Sequence, residues 1–343
     1  MKRTINDTLT PIRRLLVFEF IVGGGFSQQL LPESLAKEGE LMLKTLVDEL
    51  ALLADLEITV FIDWRFESLV LSGNVNKIVV SSQQSVFELL SEYVERFDYV
   101  WPIAPEMESI LQEISVLIEE KNSHLLNSSA KAVAVCSDKW ATYRRLKSNK
   151  VSVVESYQLQ QFDEKIDLPW VIKQRDGVGC INNYLISTQS EFDTVNSQIN
   201  KKSDYLLQPY IKGQSLSLSC LFNKGEGWII CCNQQQISVK QGRFELKACL
   251  VNIDTLNGIQ QYQQLVDQVA HAIPGLWGYV GIDIIQPEFA EPLVLEINPR
   301  LTTSYVGIYQ ALGFNVAKAV INLIDGDPVI KKTFNHQIDV NLS

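Results

Sequence analysis

Four residues near the end of the chain have types and spacing that could do chemistry: Asp283, Glu296, Asn298 and Arg300. The apolar residues 293–295 predict a buried strand, and strand alternation then places Glu296 and Asn298 on one face. Asp283 lies in a second apolar run, where a carboxylate needs a partner. Carboxylate and amide oxygens suit a hard cation such as Mg²⁺, or Mn²⁺, that keeps phosphate in its shell, and Arg300 suits the rest of an anionic substrate. The competing interpretation is an ion-pair network at the end of a sheet.

Two lysines occupy positions at which a phosphate could bind. Lys173 ends an apolar strand and precedes the loop 174–180, whose glycines permit close approach of a phosphate to the backbone. Lys139 lies in the first turn of a predicted helix, after Asp138, where a lysine opposes the helix dipole unless an anion is near. A solvated hairpin lysine and an ordinary surface lysine are the alternatives, so neither residue is informative alone.

A proline interrupts the strand pattern within residues 205–213. Because Pro209 cannot donate to a ladder, regular pairing ends there. The connector at this point consists of Gln208, Pro209, Tyr210 and Ile211. It can expose backbone groups and the Gln208 amide to a flat heterocycle such as adenine, although a simple edge strand and turn explains the pattern equally well.

Glycines and hydroxyls mark two further candidate sites for substrate. Three glycines close the first predicted strand: Gly23, Gly24 and Gly25. In a parallel sheet ligands bind beyond the carboxyl ends of the strands, although these glycines do not match the G-x-G-x-x-G dinucleotide fingerprint. The hydroxyls of Thr302, Thr303 and Ser304 can contact substrate and phosphate oxygens or cap the next helix, and we expect at least one of them to act as a cap.

The elements that must position these residues follow two patterns. In the first third, strands are predicted at 15–20, 58–62, 77–80 and 99–103, and helices at 35–53, 86–97 and 106–120. Such alternation gives a parallel sheet with crossovers, so we expect a Rossmann-like domain. From about residue 170 the pattern changes to strand runs separated by glycine turns, which predicts mixed or antiparallel sheet. Residues 133–135 predict a short strand, and 256–272 and 316–324 predict helices.

Composition excludes several classes of protein. The chain of 343 residues is long enough for two or three domains, and its formal net charge of -10 argues against a nucleic-acid-binding surface. No stretch is long and apolar enough to span a bilayer. The apolar run after Arg14 is interrupted by Glu19 and lacks a cleavage site, so we reject a signal peptide. The 6 cysteines show no C-x-x-C spacing, which favours buried thiols in a reducing cytoplasm.

The order of these pieces resembles the ATP-grasp superfamily over nearly the whole chain, and the segment 296–300 is the most specific element of the likeness. The resemblance implies an α/β and α+β fold, in which a Rossmann-like N-terminal domain precedes a two-lobed ATP-grasp fold. It divides the chain into a Rossmann-like domain, a small lobe, a large lobe with the metal site and a C-terminal tail, at residues 1–125, 126–205, 206–330 and 331–343.

The resemblance also implies which residues contact the nucleotide. Lys139 and Lys173 would contact the phosphates of ATP or adenine, and Gln208 with the backbone of 209–211 would meet the adenine edge. Ser215 stands in the neighbourhood of a ribose-binding acid in many members, and Gln208 stands where many have glutamate. These departures concern adenine and ribose contact rather than the phosphate and metal chemistry.

The metal and the chemistry follow from the same resemblance. Asp283, Glu296 and Asn298 would hold Mg²⁺, and Arg300 with Lys173 would stabilise the transferring phosphoryl group. A substrate carboxylate would attack the γ-phosphate of ATP to give an acyl phosphate, and an amine would then displace phosphate to give an amide. The loop 176–180 is the candidate lid that would keep water from the acyl phosphate.

Several segments are similar to one branch of the superfamily, which contains the tyramine–glutamate ligase of methanofuran biosynthesis. They are residues 18–21 with the three glycines, 37–39 with Met42, 176–180 and 298–305. This likeness implies glutamate as the acid and tyramine, tyrosine or a related amine as the acceptor, so the expected partners are small molecules, with neither nucleic acid nor membrane. A homodimer is left open. The alternatives are an ATP-grasp phosphotransferase, a ligase for another acid–amine pair, and a non-catalytic nucleotide-binding regulator.

Overall fold

A parallel sheet of five strands forms the first domain. The structure is a computed structural model that describes residues 12–121, 124–162, 168–177, 179, 182–255 and 258–341. The strands are β1 (Arg13–Glu19), β2 (Leu56–Asp63), β3 (Val75–Val80), β4 (Tyr99–Ile103) and β5 (His124–Leu125). The helices are α1 (Glu33–Leu50), α2 (Val86–Tyr93) and α3 (Ile110–Glu120). The spatial order is β3-β2-β1-β4-β5 and every pairing is parallel, so the predicted Rossmann-like domain is confirmed.

Both faces of this sheet are covered, as the burial of its central strand β1 indicates. Residues 15–18 of β1 are all fully buried, as expected for a parallel strand with helices on either side. The helix α1 buries Leu43, Leu46 and Leu50 at helical spacing. The strand order reverses at β1, so the crevice beyond the carboxyl ends of β1 and β4 is where such a fold binds ligands.

The second sheet has ten strands, and every strand pair in its described part is antiparallel. The first five strands are β6 (Tyr157–Gln158), β7 (Trp170–Gln174), β8 (Tyr184–Ile186), β9 (Tyr205–Pro209) and β10 (Gln214–Asn223). The others are β11 (Glu226–Lys240), β12 (Arg243–Val251), β13 (Gly278–Gln286), β14 (Leu293–Asn298) and β15 (Ile338–Asn341). The order is β14-β13-β10-β11-β12-β8-β7-β9-β6, with β15, from the predicted tail, beside β12.

Six further helices follow in the described part of the chain. They are α4 (Ala130–Ser137), α5 (Lys139–Ser148), α6 (Gln189–Gln198), α7 (Gln263–Ala272), α8 (Tyr305–Leu312) and α9 (Val316–Asn322). The strand predicted at 133–135 was wrong, because these residues lie in α4. Val133 and Cys136 are buried three residues apart, a helical spacing that three apolar residues alone do not reveal. Among the described residues no helix combines the length and apolar character needed to cross a bilayer.

The first domain shares a hydrophobic core with the large lobe. Leu43 and Leu46 of α1 belong to a cluster that also contains Tyr305, Ile308 and Val320 from α8 and α9. The small lobe has a separate cluster, formed mainly by β7, β8 and β9. The common core fixes α1 against the large lobe, whereas the domain limits expected from the sequence stay a prediction.

Candidate active site

Two carboxylates face each other on neighbouring strands of the second sheet. Asp283 on β13 lies directly opposite Glu296 on β14, and Asn298 lies two residues further along the same face. Cross-strand partners of this kind have Cβ atoms about 5 Å apart. Asn298 Nδ2 donates to Asp283 Oδ2 at 3.2 Å, and Gln235 Nε2 donates to Oδ1 at 3.1 Å. Burial, followed by repulsion from Glu296, holds the pKa of Asp283 above its usual range, so this pair of carboxylates favours a cation.

The chemistry of this donor set fits a hard divalent ion. It offers two carboxylates and one amide, all of them oxygen donors of the type that Mg²⁺ prefers. Within the described ranges, no group of three or more histidine, cysteine or acidic side chains forms a complete protein cage for a metal. A smaller set leaves coordination positions for water and for phosphate, as Mg²⁺ sites usually do.

Two buried lysines act on Glu296. Lys139 Nζ lies 3.2 Å from Glu296 Oε2 and donates to the carbonyl oxygen of Gly177 at 2.5 Å. Lys173 on β7 is only 3% exposed. Burial alone would raise the pKa of Glu296, but the attraction of Lys139 and then Lys173 outweighs burial, so this pKa lies below its ordinary value. Lys139 and Lys173 are therefore two buried positive charges beside Glu296, an arrangement that can bind the phosphates of a nucleotide.

An ion pair connects the start of α5 to the end of β7. Asp138 caps α5 by accepting a hydrogen bond from the backbone N–H of Trp140 at 2.8 Å. The same carboxylate accepts from Arg175 Nε at 3.1 Å, and the backbone N–H of Lys139 donates to the carbonyl oxygen of Arg175 at 2.9 Å. Because Arg175 follows β7 directly, these contacts set the position of Lys139 relative to Lys173.

A bidentate ion pair holds Arg300 against the first domain. Its Nε and Nη2 atoms donate to Oε1 and Oε2 of Glu106, both at 2.8 Å. Glu106 follows β4, and its side chain is only 6% exposed, so the pair is shielded from solvent. A guanidinium held in this forked geometry keeps one orientation. Arg300 therefore lines the cleft in a fixed position.

The hydroxyls that precede α8 form a hydrogen-bonded network. Thr303 Oγ1 donates to Glu38 Oε1, and Thr302 Oγ1 lies 2.9 Å from both the Tyr279 hydroxyl and Ser304 Oγ. The side chain of Ser304, the residue before α8, makes no capping hydrogen bond. The expectation that one of these hydroxyls caps the helix was wrong, because Glu38 and Tyr279 engage them instead.

The residues predicted to meet adenine lie where the small lobe joins the large lobe. Gln208 on β9 is buried, and its amide donates to Ser156 Oγ at 2.8 Å. Pro209 ends β9, and Tyr210 and Ile211 follow in the connector to β10. Tyr210 is 40% exposed. Contact of this connector with adenine stays a prediction.

Ser215, the predicted ribose contact, is linked to the acidic pair. It lies at the start of β10, and its hydroxyl donates to Gln235 Oε1 at 2.9 Å. The amide nitrogen of the same Gln235 donates to Asp283. Ser215 therefore helps to orient a hydrogen-bond donor of Asp283, and its contact with ribose stays a prediction.

The three predicted substrate-binding glycines lie in a π-helical turn, Ile21–Gly25, at the end of β1. Gly24 has a φ of 102°, and a Cβ there would lie 2.7 Å from the Val80 side chain. A Cβ on Gly25 would lie 2.4 Å from the Phe20 ring. Close packing inside the first domain is thus sufficient reason for glycine at these positions, and contact with substrate stays a prediction.

One inner cavity, of about 150 Å³, brings most of the other candidates together. Its lining includes Lys173, Asp283, Glu296, Asn298, Arg300, Thr302 and Thr303. Lys139 reaches it through the ion pair with Glu296. Of the described residues, neither the three glycines nor the connector 208–211 belongs to this lining. In the predicted lid, Val178 and Cys180 lie outside the described residues, so the lid also stays a prediction.

Sequence reasoning missed three carboxylates of the first domain: Glu19, Glu38 and Glu106. Glu19 ends β1 and accepts a hydrogen bond from the Val22 N–H at 2.8 Å. Burial raises the pKa of Glu19 to about 8, so it is mostly neutral at pH 7. Glu38 on α1 lines the inner cavity. A position beyond the carboxyl ends of adjacent parallel strands could have marked Glu19 and Glu106. Glu38 lies in the segment 37–39, which carries part of the family resemblance, but that resemblance assigned it no role.

Comparison with known families finds matches over most of the chain. Residues 136–304 match the ATP-grasp domain, and residues 56–133 match the pre ATP-grasp 3 domain. Together these matches cover more than two thirds of the chain. The chain belongs to the ATP-grasp family. The predicted activity, an ATP-dependent ligase that joins a carboxylate to an amine, is confirmed.

This ATP-grasp chain is similar to proteins named tyramine–L-glutamate ligase. The protein from Methanocaldococcus fervens is 28% identical over 305 residues, which cover 86% of this chain and 89% of the relative. The one from Methanocaldococcus jannaschii is 26% identical over 303 residues, covering 87% and 85%. A solved ATP-grasp superfamily protein from Archaeoglobus fulgidus has a TM-score of 0.71 and 25% identity, covering 96% of this chain and 92% of its own. The likeness therefore extends over both the first domain and the ATP-grasp lobes.

Proposed function

We propose that this ligase joins glutamate to tyramine, or to tyrosine or a related amine, with Mg²⁺-bound ATP as the energy source, in the synthesis of a methanofuran-type cofactor. The observation that carries the proposal is the meeting of two buried lysines, two facing carboxylates and a fixed arginine at one cavity. The names of the relatives supply the acid and the amine.

In the cleft, the lysines and the oxygen donors have different roles in binding Mg²⁺-ATP. Lys139 and Lys173 hold the phosphates of ATP, since both are buried and face the acidic end of the cavity. Asp283, Glu296 and Asn298 would hold the metal, and a Mg²⁺ ion there would supply positive charge to offset that of the transferring phosphoryl group. The raised pKa of Asp283 supports this assignment, because a cation would relieve the repulsion between the facing carboxylates.

The reaction consists of two displacements. A carboxylate oxygen of the acid attacks the γ-phosphorus, the bond from that phosphorus to the ADP oxygen breaks, and ADP leaves. The amine nitrogen then attacks the acyl carbon, the carbon–oxygen bond to phosphate breaks, and the nitrogen loses a proton as the amide forms. Arg300 and Lys173 offset the charge on the transferring group, and Glu106 keeps Arg300 in place.

The test is ADP release with glutamate against a panel of amines, with mass spectrometry of the product. We expect Mg²⁺-dependent turnover with tyramine or a tyrosine-like amine and one amide formed for each ADP. Turnover with another acid but not with glutamate would reject the proposed acid. A phosphorylated acid without amide would indicate a phosphotransferase, and absence of turnover with every pair would favour a nucleotide-binding regulator.

We also infer a cytoplasmic enzyme that acts on small molecules. The five cysteines in the described residues are all buried and free, as suits a reducing compartment. A homodimer stays a prediction, which light scattering of the purified protein can test.

A further inference from the structure

A second, larger cavity opens beside the inner one. It has a volume of about 740 Å³ and lies between the first half of α1 and strand β12. The two cavities share lining residues, among them Glu38, Asn183 and Leu246, so they are connected. The outer cavity lies within the range of about 300–1,000 Å³ that ligand pockets commonly measure, whereas the inner cavity is smaller. The outer cavity is therefore large enough for the body of a molecule whose reacting end enters the inner one.

The outer cavity has an apolar strip that leads to its junction with the inner cavity. Phe244 and Leu246 are two residues apart on β12, so both side chains face the same side of the sheet. Both are partly buried and line the cavity. Leu35 and Leu41 of α1 form the opposite side. A ring or a hydrocarbon chain fits between these surfaces.

The lining of the outer cavity carries three basic side chains, Lys37, Arg243 and Lys247, and three acidic ones, Glu38, Glu40 and Glu245. Glu40 lies 2.6 Å from Lys44, and Glu245 pairs with Lys247. Glu38 differs, since no lysine, arginine or histidine of the described residues lies within ion-pair distance of it, and its hydrogen bond comes from the neutral Thr303 hydroxyl. The junction of the two cavities thus carries a carboxylate that lacks a cation as a direct partner.

We propose that the outer cavity binds the amine substrate, a primary amine with an apolar body, and that Glu38 holds its ammonium group at the junction with the inner cavity. This assignment rests on the proposed ligase function and names the site and the residue for its second substrate. The apolar body lies along Phe244 and Leu246. Glu38 accepts one proton from the ammonium, the freed lone pair forms the bond to the acyl carbon, and the departing phosphate takes its bonding electrons and the second proton.

The acid substrate fits the outer cavity less well. Glutamate has two carboxylates beside one ammonium, and it lacks an apolar body to fill the strip along Phe244 and Leu246. The inner cavity offers Lys173 and Arg300 instead, next to the candidate phosphate and metal positions. The two substrates therefore approach the reacting carbon from different sides.

Binding of the amine can be measured separately from activation of the acid by comparing two acceptors, the amine substrate and hydroxylamine. Hydroxylamine is small and neutral, so it can trap the acyl phosphate as a hydroxamate without the outer cavity. In Glu38→Gln, we expect the KM for the amine to rise about 30-fold or more, while hydroxamate formation stays within about twofold of wild type. Glutamine keeps an oxygen that can accept from Thr303, which preserves the local hydrogen bond.

Matched variants make the result specific. Glu33→Gln makes the same change on the same helix at an exposed residue outside both cavities, and should leave both reactions unchanged. Phe244→Ala removes part of the apolar strip and should raise the KM for the amine about tenfold with hydroxamate formation retained. Because this variant does not depend on Glu38, it also tests the site if Glu38→Gln folds poorly.

The outcomes distinguish this assignment from the function on which it rests. If wild type forms amide and hydroxamate, but Glu38→Gln loses both in proportion or raises the KM for glutamate, the ligase function stands and the amine site is wrong. An unchanged KM for the amine in both cavity variants also overturns it. If wild type forms neither product with any acid, the proposed function itself fails, together with the amine site.

Discussion

The cleft has two walls that hold their carboxylates in different ways. The large-lobe wall carries Asp283, Glu296 and Asn298. On the first-domain wall Glu38 lines the inner cavity, Glu19 is buried near Glu38, and the buried Glu106 is paired with Arg300. On the large-lobe wall the acids lie opposite each other on paired strands, with Lys139 in contact with one of them. On the first-domain wall they come from a strand end, a helix and the segment after β4. One wall is thus built by strand register, and the other by the packing of separate elements.

The difference has an electrostatic consequence. The large-lobe wall concentrates charge, since Glu296 stays ionised beside two buried lysines and lies directly opposite the carboxylate of Asp283. The first-domain wall keeps its charge low, because burial holds Glu19 mostly neutral and Glu106 is paired with an arginine. A wall of concentrated charge suits a metal and a triphosphate, whereas a wall of low charge suits a substrate that brings a single positive group.

The largest effect should come from the large-lobe wall. Glu296→Ala removes a proposed metal ligand and the partner of Lys139, so we expect kcat to fall about 1,000-fold with the fold intact. ADP release measures the rate, and circular dichroism with thermal unfolding checks the fold. Glu288→Ala is the matched control, because Glu288 is exposed just after β13. A near-normal rate in Glu296→Ala would show that the metal assignment is wrong.

The sequence predicts the large-lobe wall better than the first-domain wall for a physical reason. Side chains two residues apart in a strand share a face, so Glu296 and Asn298 could be placed together from local spacing. Glu38 and Thr303 meet only because α1 shares a core with α8 and α9, and no local pattern encodes such long-range packing. The same limit applies to residues 133–135, where three apolar residues cannot distinguish a strand from the buried side of α4.

The next effect concerns stability and tests whether Glu19 is neutral in the folded protein. Burial raises its pKa from 4.5 to about 8, so the stability gained from the neutral form is full below pH 4.5 and is lost as pH rises through 8. Between pH 5.5 and 8.5, wild type should lose on the order of 3 kcal/mol relative to Glu19→Gln. Urea unfolding of both proteins at the two pH values measures this difference.

Comparison of the two proteins removes the titration of all other groups, which they share. Glutamine can accept the same hydrogen bond from Val22 as the neutral acid does. If the free energies of unfolding of wild type and Glu19→Gln change equally with pH, Glu19 is ionised in the folded state. The first-domain wall would then carry a second charge beside Glu38, and the contrast between the walls would be lost.

The smallest effect should come from the ion pair that joins the two walls. Glu106→Gln retains one hydrogen-bond acceptor for Arg300 but loses the charge-assisted forked geometry, so we expect kcat to fall about tenfold with little change in the KM for ATP. Glu108→Gln, at an exposed residue two positions away, is the control. Steady-state kinetics with ATP varied at saturating acid and amine separate the two parameters.

A double variant decides whether Glu106 acts only through Arg300. Arg300→Lys cannot form the forked pair, so adding Glu106→Gln to it should lower kcat no further, and the two effects should not add. Additive losses would mean that Glu106 affects the reaction by another route, such as a direct contact with substrate. In that case the first-domain wall would contribute a second carboxylate to the chemistry, and Glu38 would not be its sole charged contact with the amine.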